Sequence, residues 1–459
     1  MRKYKEIEMT LLPDKNRDVP IRGVVRDAPS ESSTSISALS SSTHFDDMDI
    51  QSLEIDVRKK QGFLPTLFNL MSAMLGAGIL AIPSTFVNTG LVISTILLIL
   101  IALLTFYATY IVISVARKTH AESFADLAEK TIGKAGKATL SALTLIFLIS
   151  LETAYILIAG DILMSWFKLG KIYVVDKLGY HALLIFVYAM LIPIALTIPK
   201  DVSFLKYFSG VNVAFIFFYV GVIVYKSITG FVTTKKINPT VKIIKVGIEI
   251  FNSLSVYSLT FALPCIVLPI LAPFNPNVNK RCLAAGLAMF IILVLALLSS
   301  VLCYLNLGGA LQSNVLNSFS NNDIIIVITR GVFFFIVSFT FPLISQTSLS
   351  IISALIFDAS SHSVLDNKKR AIVLLLNHFF PLVLPMFLRD IKPIVGIGGA
   401  IGGCIVNFSF PALMYIRSSD QKFTYYKNIF ASLFGVFGIA CGGISTYIAV
   451  MDVVKMFKK

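Results

Sequence analysis

Long apolar segments separated by short polar loops follow one another from Phe63 almost to the C-terminus. Each segment has roughly twenty residues or more, the length with which an α-helix crosses a hydrocarbon core of about 30 Å. Runs such as residues 97–101 are apolar at every position, whereas the strands of a membrane barrel alternate apolar and polar residues. We therefore predict an all-α integral membrane protein with about eleven transmembrane helices. The predicted spans are residues 62–86, 90–115, 138–167, 181–199, 204–228, 246–272, 282–306, 325–357, 370–388, 393–416 and 425–452.

Composition agrees with this pattern and narrows the function. The 459 residues are 56% hydrophobic and 14% charged, with a mean hydropathy of +0.82, which excludes a soluble globular domain. A net charge of +14 would suggest a nucleic-acid partner in a soluble protein, but these basic residues lie in loops and tails, where they orient membrane helices. We expect no nucleic-acid partner. The five cysteines lack CxxC spacing and predict neither a metal site nor a redox site.

The chain begins with about sixty polar residues. They include a serine-rich stretch at 30–37 and an acidic patch at 46–49, with too few large apolar residues to bury a core. We predict that residues 1–60 form a disordered cytosolic N-terminal tail and that residues 61–459 form one polytopic domain.

Two of the predicted helices contain a break at membrane depth. Gly76-Ala77-Gly78 interrupts the first helix, and Pro264 interrupts the sixth, because proline removes a backbone donor and clashes with the preceding turn. Interrupted helices five spans apart are typical of transporters built from two inverted repeats, which bind solutes at the breaks. The alternative is that the glycines form a close-packing surface and that Pro264 is only a kink.

The first break predicts a site for an anionic group. Unpaired N–H groups at residues 75–78 would face a cavity at the positive end of the following half-helix, which favours a carboxylate. Exposed carbonyl groups near Ser72 and in residues 260–263 can accept from an ammonium or coordinate a small cation. A free amino acid supplies both charged groups. The predicted substrate-binding residues are Ser72, Leu75, Gly76, Ala77, Gly78, Thr260, Phe261 and Leu263.

Segments in four of the spans resemble, in order, the amino acid/auxin permease family. Residues 68–80 with Asn88-Thr89-Gly90 resemble its first helix, residues 267–270 the end of its sixth, residues 337–342 its eighth and residues 408–415 its tenth. The resemblance is closest to the sodium-coupled neutral amino acid transporter branch. It implies a leucine-transporter-like fold, a five-plus-five inverted repeat with broken helices 1 and 6, and symport of amino acids.

The resemblance and the residues disagree about the coupling ion. Ser72 stands where the sodium-coupled branch has an asparagine that supports ion binding, while the hydroxyl of the eighth helix is kept as Thr340. Glu152 lies within the third span, and an ionisable group there is costly and is kept for function or for pairing. Ser72, Thr340 and Glu152 are therefore the ion-coupling candidates, and a co-transported proton is favoured slightly over sodium. A purely structural Glu152 remains the alternative.

Two other polar residues within the spans are interpreted as structural. Asp161 follows Glu152 on the third span, and His378 lies in an aromatic stretch of the ninth. For His378 a role as a proton relay is the alternative.

Taken together, these features predict a secondary active transporter that moves amino acids by alternating access, and not an enzyme. A primary pump would need a nucleotide-binding loop, and the sequence contains no GxxxxGK[ST] motif. The alternatives are a membrane amino acid sensor and a membrane-embedded lipid enzyme. We expect a monomer without a cofactor in the lipid bilayer of the plasma membrane or of a vacuolar or lysosomal membrane. Neutral and cationic substrates both remain open.

Overall fold

The computed structural model describes residues 61–74, 76–200, 208–359, 361–388 and 390–457. Every regular element in these ranges is a helix, which confirms the prediction of an all-α protein. The predicted N-terminal tail, residues 1–60, lies outside the described residues and stays a prediction.

The first two spans share a long helix. Helix α1 covers Phe63–Met74 and α2 covers Ala77–Thr119. The 43 residues of α2 would measure about 64 Å if straight, roughly twice the thickness of a hydrocarbon core. The helix instead changes direction at Gly90, where φ is 79° and ψ is 173°. Residues 77–89 therefore complete the first span, and the rest of α2 forms the second.

Gly90 is required at this bend for two reasons. Its positive φ is unfavourable for any residue with a side chain. In addition, a Cβ at this position would lie 2.9 Å from the carbonyl oxygens of Lys242 and Ile243. Those carbonyls approach because they accept hydrogen bonds at 3.0 Å from the N–H groups of Leu91 and Val92, which the bend leaves without helical partners.

A short amphipathic helix that the hydropathy pattern did not predict, α3 (Phe124–Ile132), precedes the third span. The remaining helices follow the predicted order with shifted ends. They are α4 Lys134–Leu169, α5 Leu178–Thr197, α6 Phe208–Thr234, α7 Glu249–Thr260, α8 Val267–Leu271, α9 Val278–Leu307, α10 Ile324–Phe357, α11 Asn367–Phe387, α12 Lys392–Arg417 and α13 Tyr426–Phe457.

The number of spans agrees with the prediction. Nine helices of the described chain are long and apolar enough to cross a membrane, and α2 counts among them as the second span. The two broken segments, α1 with residues 77–89 and α7 with α8, add the first and sixth spans. The prediction of about eleven transmembrane helices is confirmed.

Successive spans alternate in direction, so the molecule has two ends. We call the end at which α1 begins the proximal end and the opposite one the distal end. At the proximal end the N–H of Gln61 donates to the carbonyl of Pro273 at 2.9 Å. At the distal end the N–H of Asn238 donates to the carbonyl of Leu305 at 3.1 Å.

Helix α4 lies at the centre of the bundle, where it packs against α10, α11 and α12. Helix α7 packs against α2 and α12, which places both helix breaks next to α4 and α10. Large apolar side chains such as Ile96, Leu103 and Phe290 are exposed on the outer surface, as expected of helices surrounded by lipid.

Candidate functional site

The first helix break lies between Met74, where α1 ends, and Ala77, where α2 begins. Leu75, one of the predicted substrate-binding residues, lies outside the described residues. A Cβ at Gly76 would lie 2.5 Å from the hydroxyl of Tyr155 on α4, and a Cβ at Gly78 would overlap the side chain of Thr260 on α7. The two glycines therefore serve both as a break and as a close-packing surface.

The second break separates α7 from α8 at residues 261–266. Inside it the N–H of Leu263 donates to the carbonyl of Phe261 at 2.6 Å, and the N–H of Cys265 donates to Oδ1 of Asn407 at 3.2 Å. The side chains of Phe261 and Leu263 are fully buried and do not line the cavity described next. The predicted role of residues 260–263 rests on their carbonyl groups and stays a prediction.

Both breaks border one cavity of about 1000 Å³ between α1, α4, the α7–α8 segment and α10. It extends to the proximal end of the molecule, where Gln61, Leu64 and Pro273 line it. None of the described side chains that line it carries a charge. The lining includes Phe68, Asn69, Ser72, Gly76, Gly78, Phe147, Leu148, Leu151, Tyr155, Leu259, Ile266, Ile270, Thr340, Leu343, Ile344 and Thr347.

The two predicted hydroxyl ligands, Ser72 and Thr340, are brought together by a residue that the sequence did not single out. Nδ2 of Asn212 on α6 lies 3.4 Å from Oγ of Ser72 and 3.2 Å from Oγ1 of Thr340. Asn212 is buried, and its Oδ1 has no hydrogen-bond partner among the described residues. As oriented here, an amide donor occupies the space between the two hydroxyls.

Glu152 lies on α4 beside the cavity but not in its lining. It is fully buried, and its carboxylate accepts hydrogen bonds from two helices. Oγ of Ser348 on α10 donates to Oε1 at 2.6 Å, and Nδ2 of Asn377 on α11 donates to Oε2 at 3.0 Å. The carboxyl group therefore has hydrogen-bond partners but no basic partner among the described residues.

His378 continues this network toward the proximal end. Its Nδ1 lies 2.8 Å from the carbonyl oxygen of Leu374, which can only accept, so Nδ1 carries a hydrogen. Nε2 lies 3.1 Å from Oγ of Ser345 on α10 and 3.2 Å from Oγ1 of Thr197, the last residue of α5. The predicted packed, hydrogen-bonded histidine is present, but it belongs to the same network as Glu152.

Asp161 stands apart from that network. Its Oδ2 accepts from Nδ2 of Asn317 at 2.9 Å and from Nδ2 of Asn314 at 3.3 Å, in the distal loop between α9 and α10. The buried Arg330 holds the same loop, with NH1 donating to Oδ1 of Asn321 at 2.7 Å and NH2 to the carbonyl of Leu316 at 2.9 Å. These contacts agree with a structural role for Asp161.

The helical bundle, its two opposed breaks and the cavity between them are the architecture of a membrane transporter. Two solved structures share this fold. A manganese transporter of Eremococcus coleocola, in complex with an aromatic bis-isothiourea substituted compound, is 12% identical, with a TM-score of 0.54 over 87% of this chain and 88% of that chain. MhsT in complex with L-phenylalanine is 13% identical, with a TM-score of 0.51 over 86% and 99% of the two chains. The predicted leucine-transporter-like fold is confirmed.

The family follows from the sequence match. Residues 59–453 match the model of the transmembrane amino acid transporter protein family, and the chain belongs to that family. It is therefore a multi-pass integral membrane protein, a secondary transporter of amino acids and not an enzyme. The alternative of a membrane-embedded lipid enzyme is excluded.

Proposed function

We propose that this protein carries neutral amino acids with apolar side chains together with protons, by alternating access around the central cavity. The observation that carries the proposal is that both helix breaks border one cavity whose described lining is mostly apolar and uncharged. The breaks would hold the charged groups that all amino acids share, and the apolar walls would select the side chain.

The substrate carboxylate would bind at the start of α2. The N–H groups of the first helical turn have no carbonyl partner within the helix, and the positive end of the helix dipole lies there. Gly76 and Gly78 line the cavity at this point, so their backbone is within reach of an anionic group bound there. The ammonium group would be held by carbonyl oxygens of residues 260–263.

The lining favours a neutral side chain over a cationic one. A lysine or arginine substrate would place its charge among residues such as Phe147, Leu151 and Ile266 without a carboxylate to pair with. Burying an unpaired charge is strongly unfavourable, whereas an aliphatic or aromatic side chain gains free energy by leaving water. L-phenylalanine, which is bound in the MhsT structure, is an amino acid of this class.

Glu152 supports proton coupling. Its carboxyl is fully buried and meets no basic side chain in the described ranges, so its charge changes each time it binds or releases a proton, and such groups within spans mark proton pathways. Sodium would need oxygen ligands at Ser72 and Thr340, but these two hydroxyls both face the Nδ2 donor of Asn212. The contacts therefore favour the proton.

The cavity extends to the proximal end, which is the inward side if the N-terminal tail is cytosolic. A sensor would use the same pocket, so the decisive measurement must record flux as well as binding.

The test is uptake of labelled leucine or phenylalanine into proteoliposomes driven by an imposed pH gradient without sodium. We expect accumulation that unlabelled neutral apolar amino acids inhibit and that arginine does not. Glu152→Gln should keep substrate exchange and lose accumulation. Asp161→Asn is the matched control, because it neutralises the other acid on α4 outside the network and should keep both.

Three outcomes would contradict the proposal. Binding without flux would indicate a sensor. Equal inhibition by arginine would refute the selection of neutral side chains. Strict dependence on sodium, or normal pH-driven accumulation by Glu152→Gln, would refute proton coupling through Glu152 and favour an ion bound at Ser72 and Thr340.

A further inference from the structure

Two side chains connect the carboxylate of Glu152 to the ring of His378. Nδ2 of Asn377 lies 3.0 Å from Oε2 of Glu152 and 2.9 Å from Oγ of Ser345. Oγ of Ser345 lies 3.1 Å from Nε2 of His378. Glu152, Asn377 and Ser345 are fully buried, so water does not compete for these contacts. This series of hydrogen bonds joins α4, α11 and α10.

The direction of each hydrogen bond follows from the donors present. The amide nitrogen of Asn377 has two hydrogens, one for Glu152 and one for Ser345. Ser345 accepts from Asn377, so its own hydrogen is available for Nε2 of His378. Nε2 can accept it because the ring hydrogen is on Nδ1, where it donates to Leu374. The arrangement fits an ionised Glu152 and a neutral His378.

In the part of the chain that the structure describes, Asn377 leaves one of its two amide atoms without a hydrogen-bond partner. Oδ1 of Asn377 is buried and has no hydrogen-bond partner among the described residues. A buried carbonyl oxygen without a donor is unfavourable, and it gains free energy when a donor comes within its reach. A protonated Glu152 carries such a donor, and rotation of the Asn377 amide by half a turn would present Oδ1 to it.

We infer that Asn377 is a positioning residue whose amide orientation depends on whether Glu152 is protonated. A change in that orientation alters the hydrogen bonds of Ser345 and His378. The inference rests on the proposed proton coupling. When Glu152 takes a proton from solution, its O–H donates to the rotated Oδ1. The same rotation removes the Nδ2 donor from Ser345 and offers an acceptor in its place. The hydrogen of Ser345 then turns from Nε2 of His378 to Asn377.

This switch explains how a carboxyl outside the cavity can act on it. Ser345 lies on α10, next to Leu343 and Ile344, which line the cavity. His378 loses the hydrogen bond from Ser345, while Oγ1 of Thr197 stays 3.2 Å from Nε2 and donates its own hydrogen to the carbonyl of Ile194 at 2.6 Å. Protonation of Glu152 thus changes the contact that α10 makes with α11.

The helices packed against α4 bury other titratable groups. A pH response of transport that is due to Glu152 must be distinguished from the titration of these groups. Tyr188 on α5 is hydrogen-bonded to Ser338, Cys404 on α12 to Ser258, and Arg330 on α10 to the distal loop. These groups have partners outside the Glu152 network. The buried titratable groups of the described α4, α5, α10, α11 and α12 are Glu152, Tyr155, His181, Tyr188, Arg330, His378 and Cys404.

The test compares pH-driven accumulation with substrate exchange in proteoliposomes. Asn377→Leu removes the amide at similar volume and should lower accumulation about tenfold while exchange is retained, because the coupling and not the site is lost. Ser345→Ala should do the same. Asn377→Asp places two carboxyl groups side by side, which share a proton, so the midpoint of the pH profile should move upward by about one unit.

Asn428 provides a matched control. It is also fully buried, and within the described part of the chain its Oδ1 has no partner and its Nδ2 donates to the backbone carbonyls of Gln421 and Lys422 alone. Asn428→Leu should lower exchange and accumulation in parallel, as a purely structural loss does. The same parallel loss in Asn377→Leu and Ser345→Ala, with an unmoved pH profile in Asn377→Asp, would overturn the inference.

A double variant separates this inference from the proposed function. If Asn377 acts through Glu152, then Glu152→Gln combined with Asn377→Leu should keep the substrate exchange of Glu152→Gln alone, because accumulation is already lost in that background. A further loss of exchange would overturn the inference while leaving proton coupling intact. Normal pH-driven accumulation by Glu152→Gln itself would instead refute the proposed coupling.

Discussion

Gly78, in the first turn of α2, lies against Thr260, the last residue of α7, so the two broken helices touch where both are interrupted. A Cβ at position 78 would overlap Oγ1 of Thr260 and lie 3.1 Å from its Cα. Because the Cα belongs to the backbone, a side chain here has to push the two helices apart. The contact therefore fixes the distance between the two halves of the proposed substrate site.

Gly78→Val should abolish substrate binding, and Gly78→Ala should raise the concentration for half-maximal uptake about tenfold, because overpacking typically costs about 1–3 kcal/mol. Substrate binding and uptake kinetics of surface-quantified protein provide the measurement. Gly221 on α6 is the control, since a Cβ there meets no atom of the described residues within 4 Å and Gly221→Ala should behave as the wild type. Normal affinity in Gly78→Val would place the site elsewhere.

Gly76 meets a different obstacle, which allows a rescue experiment. A Cβ at Gly76 would lie 2.5 Å from the hydroxyl of Tyr155 but 3.4 Å from its ring carbons. Gly76→Ala should therefore weaken uptake, and Tyr155→Phe should restore most of it in the double variant, because only the hydroxyl clashes. Kinetics of both single variants and the double variant form the cycle. Additive losses would show that the hydroxyl is not the obstacle.

The place of Asn212 between Ser72 and Thr340 leads to a prediction about sodium. Asn212→Asp replaces the amide donor by a carboxylate oxygen, so that three oxygens face one point, the kind of ligand set that binds a small cation. We expect this variant to gain sodium-stimulated uptake at constant pH, and Asn212→Leu to gain none. The measurement compares the uptake of each variant in sodium with its uptake in an organic cation at the same pH. Sodium-dependent wild-type uptake that Thr340→Ala abolishes would show instead that Oδ1 of Asn212 is a ligand.

The parts of the fold that the sequence predicted depend on local signals. Apolar length gave the spans, and the glycine pair and Pro264 gave the breaks that border the cavity. Two features were not predicted from the sequence. Helix α3 is short and amphipathic, so it lacks the apolar length of a span. Helix α2 continues through Gly90 because the loop carbonyls of Lys242 and Ile243 accept hydrogen bonds from the N–H groups that the bend leaves unpaired.

The polar network was predicted only in part. Glu152 and His378 stood out as ionisable residues within spans, but nothing local connects them. Their link depends on Ser345 and Asn377, ordinary polar residues on other helices that only tertiary packing brings within 3.3 Å. Asn212 was missed for the same reason, although an asparagine within an apolar span is itself a usable signal.

The N-terminal tail is expected to be dispensable for transport. Its sequence has too few large apolar residues to bury a core, and such segments make few contacts with a packed domain. Deletion of residues 1–50 should change abundance or location at most, while turnover per molecule is unchanged. Uptake normalised to the amount of reconstituted protein measures this. A lower turnover number would show that the tail acts on the cavity.

At the distal end, Lys226 on α6 forms an ion pair with Asp323, which caps α10. Their Nζ and Oδ2 atoms are 2.5 Å apart, and Oδ1 of Asp323 accepts from the N–H of Ile325 at 3.1 Å. Slight burial acts to raise the pKa of Asp323, but the Lys226 ammonium and the helix N–H donors outweigh it and hold the pKa below its ordinary value of 3.8. The carboxylate therefore stabilises the folded state at neutral pH.

Asp323→Asn keeps the helix cap and removes the charge, so it should cost about 1 kcal/mol at pH 7. A pKa that is lower in the folded state than in the unfolded state gives stability above the ordinary value, and this stability disappears as the pH falls through the folded-state pKa. The difference in Tm between wild type and Asp323→Asn should thus be constant from pH 6 to 8 and shrink below about pH 4. Lys226→Met should reduce the difference to the part that the helix N–H donors contribute, and a difference that persists at low pH would assign the effect to the cap and not to the charge.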